Sequence, residues 1–210
     1  MFANKYITGS CTISNGVVVK DHAVLFENKT ADAQDFLLTV YRHFKLNYPR
    51  FYKMDNLSKL GWLASEILFK DHFNSDAYLP GQMGVVLANA NSSLDDDIRY
   101  FESVKDIASP SLFVYTLPNI VIGEICIRNN FKGEHALFIQ PEFDAGFMEK
   151  QIGYLLDKSI LDACCCGWVE FLGSEYKAVL FLVEKKENDT ALLFSEDNMN
   201  NIFNNQVGNI

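Results

Sequence analysis

No apolar run in this sequence approaches the roughly 20 residues that a bilayer span requires, so no membrane span is expected. The first residues, Met1-Phe2-Ala3-Asn4-Lys5, lack the apolar stretch of a signal peptide, and a cytoplasmic, soluble protein is the expectation. Basic residues are also scarce. Eighteen Lys and Arg against 27 Asp and Glu leave a net charge of −9 and a pI near 4.9. Binding to a phosphate backbone needs a basic face, so nucleic acid is excluded as an expected partner. The five cysteines fall in no spacing of a disulfide framework, which fits a reducing compartment. No repeat of 20 to 50 residues is present, which excludes a solenoid, and no linker marks a second domain.

What is present is material for one packed core. The 210 residues are 49% hydrophobic and 21% charged, a globular composition, and 17 Phe and 9 Tyr predict a core rich in aromatic rings.

Short strands are expected at Lys5 to Thr12 and Val17 to Val19, with Gly9 and Asn15-Gly16 as turn signals. Phe36, Leu37, Val40, Tyr41 and Phe44 fall near helical spacing, so Ala31 to Asn47 reads as an amphipathic helix ended by Pro49. Ser58 to Phe69 reads as a second, capped by Asn56 or Ser58. Met83 to Ala90 is a continuous apolar run of strand length, the pattern of a strand buried on both faces of a parallel sheet. Further on, helices are expected at Leu94 to Val104, at Leu117 to Ile127 with Pro118 in its first turn, and at Phe143 to Lys158. Strands are expected at Ala136 to Ile139 and Ala163 to Cys166. Ala178 to Glu184 and Thr190 to Phe194 read as paired strands joined by the polar turn Lys185 to Asp189. Glu196 to Ile210, with six Asn and little periodicity, is expected to fray.

Two clusters invite a metal reading. Asp95, Asp96 and Asp97 sit where a helix dipole favours negative charge, so a solvated helix start accounts for them. Cys164, Cys165 and Cys166 alternate sides on a strand, so the three do not converge on one ion, and buried thiols packing as small hydrophobes are expected; Cys11 and Cys126 read likewise. No metal and no cofactor is expected.

Ser109-Pro110-Ser111-Leu112-Phe113, Leu117-Pro118-Asn119 and Gly123-Glu124-Ile125-Cys126-Ile127 resemble the stretch that precedes the nucleophile in β-ketoacyl synthases. Lys132-Gly133-Glu134 looks like that family's Gly-Pro step into the nucleophile strand. Counting on without a gap, the family's Thr-Ala-Cys falls on Gln140, Pro141 and Glu142. The same count brings its Ala-Asp, apolar strand and Gly-Gly-x-Glu onto Leu161-Asp162, Ala163 to Cys166, and Gly167-Trp168-Val169-Glu170. Weaker echoes reach back to Gly84-Val85-Val86-Leu87, Met54 and Tyr6-Ile7-Thr8-Gly9. The sequence thus resembles the N-terminal half of a ketosynthase, in a short form within the thiolase superfamily. The resemblance implies an α/β thiolase-like half-fold: a mostly parallel mixed sheet with helices packed on it and a C-terminal hairpin. Residues 1–195 would form this domain and 196–210 the frayed tail.

The resemblance places Glu142 where the family has its nucleophilic cysteine. The two histidines and one of the oxyanion-hole amides that the family draws from its second half have no counterpart here, and His22, His43, His72 and His135 do not match those positions. A carboxylate does not stand in for a thiolate in thioester exchange. Glu142 therefore reads either as a residue at a helix start or as a near-isostere of the Gln that chain-length factors and loading decarboxylases carry at that place. In the second case Phe113, Tyr115, Phe138 and Phe147, which flank it in sequence, would line a hydrophobic substrate pocket, against the plainer reading of core aromatics.

The leading expectation is a non-catalytic ketosynthase-like subunit of fatty-acid or polyketide-type chain synthesis, a homodimer or a heterodimer with a complete ketosynthase, with acyl carrier protein as a further partner. An acyltransferase or malonyl decarboxylase completed by a partner chain is the enzymatic alternative. A simple carrier-protein or acyl-thioester binding module is disfavoured, because carrier proteins are themselves acidic.

Overall fold

Asp32, Asp55, Ser109, Asp144 and Ser195 each accept a backbone N–H in the first turn of the helix that follows, and these caps set where five helices begin. The computed structural model describes residues 4–70, 73–188 and 191–205. In chain order the elements are β1 (Tyr6–Ser14), β2 (Val17–Lys20), β3 (Ala23–Glu27), α1 (Ala33–His43), α2 (Asn56–Phe69), β4 (Met83–Asn89), α3 (Leu94–Val104), α4 (Pro110–Tyr115), α5 (Ile120–Asn129), β5 (His135–Ile139), α6 (Ala145–Asp157), β6 (Ala163–Leu172), β7 (Glu175–Glu184), β8 (Leu192–Leu193) and α7 (Glu196–Asn204).

One mixed sheet runs in the order β3-β2-β1-β7-β6-β4-β5, with β8 paired to β1. Among the described residues only β4–β5 and β4–β6 are parallel. The parallel pairing that the sequence suggested for most of the sheet is therefore confined to one side. The reason is local: β1, β2 and β3 follow one another through tight turns, as do β6 and β7, and such connections force antiparallel neighbours.

The sheet is covered on both faces. Trp62, Leu63, Phe36, Val121 and Ile125, from α1, α2 and α5, pack on one face with Val85, Cys165 and Leu180. Met148, Ile152, Met199 and Ile202, from α6 and α7, pack on the other with Val86, Cys164, Cys166 and Phe181. The alternation expected for the cysteine triplet is thus present, and all three thiols are fully buried. The expected aromatic character is concentrated on the first face, where Tyr41 stacks on Phe51 with centroids 4.2 Å apart and Tyr48 stacks on Trp62 at 5.1 Å.

Several expectations need correction. A C-terminal hairpin forms, but its arms are β6 and β7, while Leu192–Leu193 pairs with β1; Asp189 and Thr190 lie outside the described residues. Glu196–Asn204 is helix rather than frayed tail, because Ser195 caps it and Met199 and Ile202 bury against α6; 206–210 lie outside the described residues. Pro118 precedes α5 instead of opening it. Asp55, rather than Asn56 or Ser58, caps α2. β3 and α4 were not anticipated: β3 shows no alternation, with four of its five residues exposed, and α4 is only six residues long. No helix among the described residues is long and apolar enough to cross a membrane.

Candidate functional site

Parallel pairing of β4 with β5 and β6 brings the ends of β4 and β5 together, and Gln140 N donates to Asn89 O at 2.9 Å just beyond them. Asn89 is fully buried and closes the turn leaving β4: its Nδ2 donates to Ser92 O at 2.8 Å and its Oδ1 accepts from Ser92 N at 3.2 Å. Glu170, on β6, accepts from Ala90 N and Asn91 N through the same carboxylate oxygen. Its other oxygen, and Gln140 Oε1, are buried without a hydrogen-bond partner among the described residues. Ligands of open α/β sheets commonly sit at the carboxyl ends of parallel strands, and this corner is such a place.

Two glycines mark where backbones approach closely beside this corner. Gly167 has φ of +145°, and a Cβ there would meet Val179 O at 2.0 Å. A Cβ on Gly133 would meet Met83 O at 2.6 Å, so the backbone entering β5 runs against the start of β4.

Glu142 is exposed, in the bend between β5 and α6, and makes no hydrogen bond or ion pair with the described residues. The helix-start role belongs instead to Asp144, whose Oδ1 accepts from Phe147 N at 2.8 Å. The four aromatic candidates are not brought into one pocket. Phe138 and Phe147 meet edge to face with centroids 4.8 Å apart, and Phe138 packs on the α6 side of the sheet. Tyr115 packs on the opposite side, where its hydroxyl donates to the buried Glu124 at 3.4 Å; burial pushes that phenol up to about 12. Phe113 is 58% exposed beside Tyr100, centroids 5.5 Å apart.

Histidine does not converge on this corner either. His22 and His43 are exposed, the latter against Phe26 at 4.4 Å, and His135 opens β5 at the end opposite Glu142; His72 lies outside the described residues. Burial holds the thiols of Cys11, Cys164, Cys165 and Cys166 far above the usual range and pushes Cys126 up to about 11. Among the described residues no group of His, Cys, Asp and Glu is placed to hold a metal ion. Gln140, Asn89 and Asp144 were not singled out by sequence reasoning as site residues, and only Gln140 and Glu170 carried a signal, through the resemblance.

No family model and no curated protein sequence matches the chain. Solved structures do. A structure described as the ishigamide ketosynthase/chain length factor aligns at 17% identity with a TM-score of 0.60, over 86% of this chain and 62% of that one. A type II polyketide ketosynthase complex with its acyl-carrier protein, AntDE with AntF, aligns at 15% and 0.59, over 87% and 62%. The ketosynthase ApeO in complex with its chain length factor ApeC, from Xenorhabdus doucetiae, aligns at 11% and 0.58, over 88% and 80%. The chain thus shares the fold of these ketosynthase and chain length factor structures, and it spans 62% of the length of the first two of them.

Proposed function

We propose that this chain is a non-catalytic ketosynthase-like subunit, of the chain-length-factor kind, that joins a complete ketosynthase in fatty-acid or polyketide-type chain building. One observation carries the reading: the place that the register gives to the nucleophile holds an exposed carboxylate, Glu142, while four of the five cysteines are fully buried elsewhere with thiols held protonated. Acyl transfer between thioesters needs a thiolate. The likeness to ketosynthase and chain length factor structures supports the general role.

The open edge of the sheet supports a partner. Among the described residues β5 pairs only with β4, and Ile139 at its end is 53% exposed. An uncovered edge presents unpaired backbone groups that a partner strand satisfies.

The test is co-expression with the ketosynthase of the same organism, followed by size-exclusion chromatography and by mass spectrometry of malonyl-loaded carrier protein. The expected result is a stable complex, with no acyl adduct and no decarboxylation by this chain alone. An adduct on Glu142, or carbon dioxide released by the isolated chain, would overturn the reading in favour of an acyltransferase or decarboxylase. A protein that stays monomeric and ignores every ketosynthase of its host would overturn it outright.

A further inference from the structure

The amphipathic pattern of α3 is turned away from the sheet. At about 3.6 residues per turn, Leu94, Ile98 and Phe101 share one side of the helix with Val104 at its border. All four are exposed, Phe101 to 68%. The opposite side carries Asp96, the only buried residue of the helix, and Ser103, whose hydroxyl accepts from Ser109 N at the start of α4. A surface helix normally turns its apolar stripe to the core; here the polar side meets the protein. Ile107, 85% exposed, and Val114 and Leu117 add apolar groups in the loop and short helix that follow, and α3 packs on α4. An exposed apolar concentration of this kind marks an interaction site.

The rim of the face identifies what fits it. Asp97, Glu102 and Asp106 border the stripe, and although Lys105 pairs with Glu102 and Arg99 with Asp96 at 3.5 Å, acidic groups outnumber basic ones along the segment; Asp95 is turned to the protein, where it accepts from Asn56 Nδ2 and from Gly173 N, each at 3.0 Å. A second copy of this chain would bring acidic rim to acidic rim, and an anionic membrane or an acidic carrier protein is repelled for the same reason.

We propose that α3 and α4 form a docking face for a different polypeptide, one whose apolar surface is bordered by lysine and arginine. Resting on the function proposed above, that polypeptide is the complete ketosynthase.

The experiment is a pull-down and titration of the full chain with the ketosynthase of its host, comparing wild type with Phe101→Asp, with Ile98→Asp, and with the rim variant Asp97→Lys/Glu102→Lys. Circular dichroism and thermal melting check that each variant is folded. The expected result is at least a tenfold loss of affinity in each folded variant, with wild-type binding weakened by added salt. Wild-type binding that all three variants retain would overturn this face while leaving the subunit reading standing. Loss in the apolar variants alone, with the rim variant binding as wild type, would overturn the basic-bordered partner. Two further outcomes assign the face to another occupant and overturn the proposal: wild-type self-association abolished by Phe101→Asp, or flotation with phosphatidylcholine vesicles abolished by it.

Discussion

Glu170 accepts a hydrogen bond from Ala90 N at 2.6 Å and a second from Asn91 N at 3.1 Å, so a carboxylate on β6 holds the loop that leaves β4. Charge-assisted bonds to backbone donors are the strong kind. Glu170→Ala is expected to lower stability by about 2 kcal/mol, and Glu170→Gln by less, because an amide oxygen still accepts. Urea titration of the three proteins checks the order.

Gly167→Ala tests the tightest point of the β6–β7 pair. A Cβ would lie 2.0 Å from Val179 O, at a φ of +145° that L side chains rarely adopt. With backbone on both sides there is no flexible end to move, and a loss of at least about 3 kcal/mol is expected. Loss of soluble protein on expression, or a fall in the urea midpoint of that size, is the readout.

Asp144 and Glu142 are two residues apart and are expected to behave differently. Asp144→Ala removes the cap of α6 and should cost about 1 kcal/mol. Glu142→Ala, at an exposed position with no partner among the described residues, should stay within about 0.5 kcal/mol of wild type. Thermal melts of both variants separate a cap from a bystander.

The thiols offer a third measurement. Cys11, Cys164, Cys165 and Cys166 are fully buried, and burial holds each far from ionisation. Ellman's reagent at pH 8 should leave all four unmodified in the native protein, with Cys126, pushed up to about 11, reacting slowly, and should titrate all five in 8 M urea.

Asp96 gives a pH dependence of unusual sign. Burial raises its carboxyl to about 6; Asp55, Asp95 and Asp97 add to the rise and Arg99 opposes it. Burial raises Asp55 as well. A group whose native value lies above its unfolded value of about 4 binds more protons when folded, so its contribution favours the native state at low pH and is lost as pH rises through about 6. Asp96→Asn should therefore be more stable than wild type at pH 8, by a margin that shrinks as pH falls from about 6 to about 4. Urea melts across that range measure it.

Much of the local structure was legible before the fold was known. The alternation of Cys164, Cys165 and Cys166 between two faces follows from the period of a strand, and both long apolar strands, Met83–Asn89 and Ala163–Leu172, begin where their sequences suggest. Gly167 and Glu170 were placed by resemblance and prove to be positions where backbone approach and loop anchoring require them. Strand partners were not legible. β1 pairs with β7 across some 170 residues of chain, as in Ile7 with Val183, and nothing local records that choice. Glu196–Asn204 is helix although its Asn-rich sequence offers few apolar positions, because Met199 and Ile202 share one face and contact with α6 makes so short a helix worth forming.

The amino-acid sequence alone determined that no cysteine stands at Glu142, that Cys164, Cys165 and Cys166 lie on an apolar strand, and that the chain is acidic. These are matters of identity and short-range period, which folding does not alter. The tertiary structure decided which faces those residues occupy. It set Tyr115 and Phe138 on opposite sides of the sheet, so that one pocket holding both would have had to pass through it. It also turned the apolar stripe of α3 outward: amphipathicity specifies that one face of a helix avoids water, and only the packing of neighbouring elements decides whether this chain or another covers it.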